Sequence, residues 1–365
     1  MERYLKSKKE ICKFITCGSV DNGKSTLIGR MLYDSKNLYK DQIESLKKDS
    51  KRIGSSGDEF DFALLLDGLS SEREQGITID VAYRYFSLEN RRYVIIDTPG
   101  HKQYTKNMAT GASNADIAII LLDAREGVVE QSKRHSYIAS LLGIKQFIIA
   151  INKMDLVQFS EEIFIKISND YYNMLQKLPN YQSINVHFIP ICATMGDNVV
   201  FKSKNTSWYD GGSLLALLES LPISDKNSDE FILSVQYVNR PNLDFRGFCG
   251  SIISGNVVVG SEVIILPSKQ TSKVKEILNT NNNVQSADYK NAITIRLEDE
   301  IDIQRGDIIA SVDNSIEIQN EFYAMIICFG EFDECGNYLI KISHSIIPMR
   351  FEILQKKRYC HSTRI

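Results

Sequence analysis

The sequence predicts an α/β domain on a mostly parallel sheet, followed by a β-barrel and then a short, truncated second β-barrel segment. Three observations carry this. Through roughly the first 220 residues, five short apolar runs alternate with longer amphipathic stretches, the pattern of strands buried beneath helices on both faces. Beyond a polar stretch the helical periodicity stops, and short β-rich runs follow at close spacing, as in a small barrel. A glycine-rich loop lies between the first run and the first helical pattern, and open α/β sheets bind ligands beyond the carboxyl ends of their strands.

The five runs are CKFITC (12–17), RYVIIDT (92–98), DIAIILLDA (116–124), FIIAIN (147–152) and VHFIPIC (186–192). Each has the length of a buried strand and is flanked by glycine, asparagine or aspartate. Helical patterns cover Gln131–Leu142, Ser160–Leu178, with Ile163, Ile167, Tyr171 and Leu175 four apart, and Gly212–Leu221. We expect this domain to span residues 1–222, with a polar linker at 223–229. A barrel at 230–318 follows, from FILSVQYV, GFCGSII, NVVVGSEVIIL, SKVKEIL and AITIRL. The remaining 319–365 is β-like (FYAMIICF, NYLIKIS) but marginal for a core of its own.

Composition excludes several classes. The 365 residues carry a net charge of −3, which argues against general electrostatic capture of nucleic acid or an anionic membrane. No apolar stretch reaches the length of a membrane span, and the basic start MERYLKSKKEICKFITCGS lacks the apolar core of a secretory signal. A cytoplasmic location is expected. Seven cysteines without a CxxC pair fit neither a disulfide framework nor a structural zinc site.

The chemistry lies in the loops after the strands. Gly18-Ser19-Val20-Asp21-Asn22-Gly23-Lys24-Ser25 matches GxxxxGK[ST], a loop whose backbone N–H groups cradle phosphates at a helix amino terminus. Lys24 is suited to the β- and γ-phosphates and the Ser25 hydroxyl to Mg²⁺. Asp97-Thr98-Pro99-Gly100-His101 closes the second run. There Asp97 can hold the magnesium shell, Gly100 can offer its N–H to the γ-phosphate, and His101 can orient the attacking water. Asn152-Lys153-Met154-Asp155 follows the fourth run. A carboxylate at Asp155 accepts from both N1–H and N2 of guanine, and would be left unpaired against adenine. Cys192-Ala193-Thr194 follows the fifth run, where a backbone N–H can support the guanine carbonyl. Thr78, in Gly76-Ile77-Thr78-Ile79-Asp80, can complete the magnesium shell only while a γ-phosphate is present, which makes that segment a switch. Phosphate cradle, metal ligands, water-orienting histidine and base selection together imply a P-loop GTPase.

The runs GSVDNGKSTLIGRMLYDS, LLLDGLSSEREQGITIDVAYRYFS, DTPGHKQYTKNMATGAS and SLLGIKQFIIAINKMDLV, with SVQYVNRPNLDFRGFCGSIISG and TIRLEDEIDIQRGD in the barrel, resemble one family. It is the GTPase subunits of heterodimeric sulfate adenylyltransferases, within the translation-factor class of GTPases. The resemblance covers about Ile11 to Val312. It implies GTP and Mg²⁺ as ligands, and a small partner subunit that makes adenosine 5′-phosphosulfate and pyrophosphate from ATP and sulfate, driven by GTP hydrolysis. A heterodimer or larger assembly is implied, with contact expected through Asp34–Gly76, including Glu72, Arg73 and Glu74, and through the helix after His101. Asn22 stands where the family has aspartate, Cys192 where it has serine, and the family's third domain is a full barrel. An elongation-factor-like GTPase that delivers aminoacyl-tRNA is the alternative, and would bring a basic binding face. A P-loop kinase would need no guanine-selecting Asp155.

Overall fold

A computed structural model describes residues 10–36, 62, 78–88, 90–178, 180–223, 230–242, 244–279, 282–324, 326–329, 333, 336–342 and 345–350. The chain divides into two compact units, Met1–Ser224 and Asp225–Ile365.

The first unit is a six-stranded sheet: β1 (Glu10–Cys17), β2 (Ala82–Ser87), β3 (Arg91–Asp97), β4 (Ile117–Asp123), β5 (Gln146–Asn152) and β6 (Asn185–Pro190). Its order is β2-β3-β1-β4-β5-β6. Only β2 runs antiparallel, against β3. Strand β1 lies between β3 and β4, so the chain leaves it toward one edge and returns toward the other, opening a crevice at its carboxyl end. Every residue of β4 and β5 is buried, because parallel strands covered on both faces have no wet side.

Helices α1 (Lys24–Asp34), α2 (Thr105–Ala112), α3 (Glu130–Leu141), α4 (Glu161–Leu175) and α5 (Leu214–Ser220) complete this unit. Helix α1 places Leu27, Ile28, Met31 and Leu32 into one core with Phe14, Ile95, Ile119, Leu121, Ile148, Leu214 and Leu218. That three-and-four spacing is one helix face. Each such side chain contributes about 1.5–3 kcal/mol of apolar burial. Ser160 caps α4, its hydroxyl accepting from the Ile163 N–H, and Glu161 and Glu162 complement the dipole of the first turn. Helices α3, α4 and α5 start and stop within three residues of the patterns Gln131–Leu142, Ser160–Leu178 and Gly212–Leu221 that predict them.

In the second unit β7 (Ile232–Asn242), β8 (Phe245–Ser254), β10 (Glu262–Leu266), β11 (Gln270–Asn279), β12 (Asn282–Val284), β14 (Ala292–Leu297) and β15 (Ile308–Ser311) form one antiparallel sheet. The pairing of β10 with β11 closes it, and closure removes reactive edges. β9 (Asn256–Val258) pairs with β13 (Ser286–Asp288) beside it. Leu233, Val235, Phe248, Ile252, Val263, Ile265, Val274, Ile277, Ile295 and Ile309 fill the interior, supplied by the alternation of each strand. β16 (Tyr338–Ile342) and β17 (Ser345–Met349) form an antiparallel hairpin.

Candidate functional site

The sheet register brings the loop-bearing strand ends to one rim. Thr16 pairs with Asp97, Cys17 with Ile120 and Asp123 with Asn152. The Gly18–Gly23 loop leaves β1 at this rim. Gly23 sits at φ +86° and ψ 29° as the first residue before α1, a conformation glycine adopts without a Cβ penalty. Its carbonyl accepts from the Leu27 N–H at 2.9 Å, starting the helix. The Lys24 side chain folds back over the loop, its ammonium donating to Ser19 O at 2.7 Å and Gly18 O at 3.3 Å. Burial pushes the Lys24 amine below its ordinary value, opposed by the Asp97 charge. Val20 and Ser25 are half-buried; Asp21 is exposed, in the left-handed region.

At the end of β3, Asp97 is 2% exposed and accepts from the Thr16 hydroxyl at 3.2 Å. Burial pushes its carboxyl up to about 6, against the Lys24 charge and the Thr16 bond. Pro99 and Gly100 are buried behind it. A Cβ on Gly100 would meet Lys24 Nζ at 2.4 Å, Ser19 C at 2.8 Å and Gly18 O at 2.9 Å, so the two loops touch at a point that admits only glycine. His101 starts a 3-10 turn over Lys102–Tyr104, its Nδ1 accepting from the Gln103 N–H at 3.3 Å. Thr78 is half-buried. Its neighbour Ile79 is tied to α2 by the Asn107 amide, 2.9 Å from Ile79 O. The described hydrogen bonds do not join Thr78 to Ser25 or Asp97.

One side chain bridges the phosphate-type loop and the base-type loops. The buried Asn152 donates from Nδ2 to Asn22 O at 2.8 Å and accepts at Oδ1 from the Ala193 N–H at 2.9 Å. Asn22 in turn donates from its amide to Leu121 O at 2.8 Å, which holds the loop to β4. Lys153, at φ +63°, sets its ammonium 2.9 Å from Asp123 Oδ2. Asp123 is also gripped by Arg125, Nη2 to Oδ2 at 2.7 Å and Nε to Oδ1 at 3.0 Å. Burial raises the Asp123 carboxyl, but the Arg125 and Lys153 bonds outweigh it and hold the group well below the usual carboxylate range. Asp155 Oδ1 accepts from the Cys192 thiol at 3.1 Å. That thiol is pushed up to about 11, chiefly by burial.

Two residues of this rim are invisible in the motifs. Asp123 reads as the last residue of a strand, and His135, on α3, as a polar helix position. His135 Nδ1 accepts from the Gly18 N–H at 3.1 Å. The signal for Asp123 is its place at a strand end next to β5; for His135 the sequence has none, because its partner is 117 positions away.

A nucleotide and its metal fit these residues. The Gly18–Gly23 and Gly100 cradle is one that a Cβ would fill, and a Mg²⁺ ion takes hard oxygen ligands, which Ser25, Thr78 and the buried Asp97 offer.

Residues 9–238 match the model of the elongation factor Tu GTP binding domain. Sulfate adenylyltransferase subunit 1 of Saccharophagus degradans is 53% identical over 344 residues, 93% of this chain and 72% of that protein. The same-named protein of Aliarcobacter butzleri is 56% identical over 316 residues, 86% and 67% of the two chains. Among solved structures, the GTPase-like domain of S. cerevisiae Ski7 bound to GTP shares the fold at 20% identity. Its TM-score is 0.53, with 84% of this chain and 76% of that one covered. With relatives more than half identical over most of both lengths, the chain belongs to the sulfate adenylyltransferase subunit 1 family and carries its GTP-binding domain of the elongation factor Tu type.

Proposed function

We propose that the chain binds and hydrolyses GTP as one subunit of a sulfate adenylyltransferase in the cytoplasm. Hydrolysis there drives a small catalytic partner, in a heterodimer or larger assembly, to form adenosine 5′-phosphosulfate and pyrophosphate from ATP and sulfate. The observation that carries this reading is the Asn152 amide, bonded at once to Asn22 O and Ala193 N. It braces the loop proposed to hold the phosphates against the loops proposed to hold the base.

In this reading the Gly18–Ser25 backbone N–H groups and the Lys24 ammonium hold the phosphates, whose transfer depends on positioning and charge neutralisation. Ser25, Asp97 and Thr78 would hold Mg²⁺, which neutralises charge on the β- and γ-phosphates when bound. His101 orients the attacking water through Nε2, since Nδ1 is engaged by the Gln103 N–H. Asp155, steadied by the Cys192 thiol, selects guanine, with Lys153 beside it; the Ala193 N–H is given to Asn152 Oδ1. For coupling, the partner must bind the GTP and GDP states with different affinity. The expected contact over Asp34–Gly76 lies almost wholly outside the described residues; α2 lies within them. Neither nucleic acid nor a membrane has a role in this reading. No described helix is long and apolar enough to cross a membrane.

The test is GTP-dependent formation of adenosine phosphosulfate, with and without the cognate small subunit. Product only with both proteins and GTP supports the reading; product unaffected by GTP refutes it. His101→Ala is expected to lower the rate of GTP hydrolysis by about 10²–10⁴ while the GTP Kd stays within a few-fold.

A further inference from the structure

Helix α3 packs on β4 and α2 with an unusual inner face: Ser132, His135 and Ser136 are each 0% exposed. Polar side chains in such a place cost free energy unless they are hydrogen-bonded. The serines satisfy themselves locally. Ser132 Oγ donates to Val129 O and Ser136 Oγ to Ser132 O, both at 2.7 Å, and Ser136 also meets the Tyr171 hydroxyl at 2.7 Å. His135 instead reaches out of its helix to the Gly18 N–H.

That bond fixes the tautomer. With Nδ1 as acceptor, the proton resides on Nε2, which lies 2.9 Å from Gln131 Nε2; the Gln131 carboxamide, whose two ends are interchangeable by a half-turn, then presents Oε1 in place of that nitrogen. Burial, followed by the Lys24 and Arg134 charges, pushes the imidazole down to about 3. It therefore stays a neutral acceptor and adds no second cation beside Lys24.

Gly18 needs such a partner. At φ +146°, it lies so close to β4 that a Cβ would meet Leu121 O at 2.8 Å. It has no side chain to anchor it, and its buried N–H left unpaired would cost the loop its conformation.

We infer that His135 is a positioning residue for the nucleotide site: by accepting from the Gly18 N–H, it sets the entry of the phosphate loop. The Gly18 and Ser19 carbonyls then meet Lys24, and the later N–H groups of the loop are left for phosphate. The inference rests on Gly18–Ser25 being a phosphate loop, as proposed above.

Two measurements on the full chain test it. In ¹⁵N-labelled protein without nucleotide, a trans-hydrogen-bond nitrogen–nitrogen coupling between the Gly18 amide and His135 Nδ1 is expected. Its absence from a folded protein overturns the inference. Second, GTP and GDP affinities are compared for three variants. His135→Leu removes the acceptor; His135→Asn puts an amide oxygen near the place of Nδ1; His135→Gln puts one near Nε2 instead. About tenfold weaker binding is expected for Leu and Gln, and a return to within about threefold of wild type for Asn; tenfold is 1.4 kcal/mol. A role in packing alone would lower melting temperature without this order of affinities. Should His135→Leu not fold, the Asn and Gln pair decides: equal affinities in the two overturn the inference. Wild-type protein that shows the coupling but takes up no GTP refutes the proposed function while leaving the Gly18–His135 contact standing.

Discussion

His135 has an ordinary pKa of 6.5, which the folded protein lowers to about 3. Between these values the unfolded chain binds a proton that the folded one does not, so unfolding becomes easier as pH falls. The stability attached to this imidazole is complete above about pH 6.5 and is lost progressively toward 3, with a limiting slope of ~1.4 kcal/mol per pH unit. Urea titrations at pH 7 and pH 5 should show a loss in wild type that His135→Asn escapes, a difference of about 2 kcal/mol at pH 5. Asp155 presents a second prediction at this scale. In the proposed function its carboxylate is the acceptor that guanine would satisfy and adenine would not, so Asp155→Ala should weaken GTP binding about a hundredfold, on the order expected when a site loses a charged hydrogen-bond partner. ATP binding should stay where it was. Competition against a fluorescent guanine nucleotide reads both.

Contacts between elements make the narrower prediction. Gly100, after β3, passes so near Gly18, Ser19 and Lys24 that Gly100→Ala must push backbone aside, since two of the three nearest atoms belong to main chain. Equilibrium binding of GTP should fall by at least about tenfold, 1.4 kcal/mol, with circular dichroism of the sheet unchanged. On the other side of the rim, Asp123 ends β4 and Lys153 follows β5. A double-mutant cycle of Asp123→Asn and Lys153→Met should give a coupling of about 1 kcal/mol in nucleotide affinity, because the two are in direct contact. Five of the six strands of the first sheet were legible, since runs such as β4 and β5 are unbroken and apolar and the strand ends lie within two residues of the runs that announce them; β2, the antiparallel edge strand, matches none of the five runs because only Phe86 of its residues is buried. Strands β9, β12 and β13 were not separable from their neighbours, because three residues carry too little alternation to register. Loops were legible as motifs where the partners are backbone phosphate donors close in sequence. The bracing was not: Asn152 reaching Asn22 and Ala193, or His135 reaching Gly18, depends on which strands lie side by side, and no local pattern encodes that.

For the molecule as a whole, a ligand that binds only the folded chain stabilises it by mass action. At a hundredfold excess over its Kd, GTP should add ~2.7 kcal/mol to unfolding, seen as a higher melting temperature that ATP at equal concentration does not produce. Equal shifts for the two nucleotides would remove guanine selection from the account. The Asn152 carboxamide reaches beyond affinity. Since it already ties the turn after β1 to the turn after β6, neither half of the crevice waits on a guest to be organised. Guanosine alone and inorganic pyrophosphate alone should therefore each find a seat at full strength, and the grip on GTP should come from tethering two ready-made sites rather than from one side teaching the other its shape.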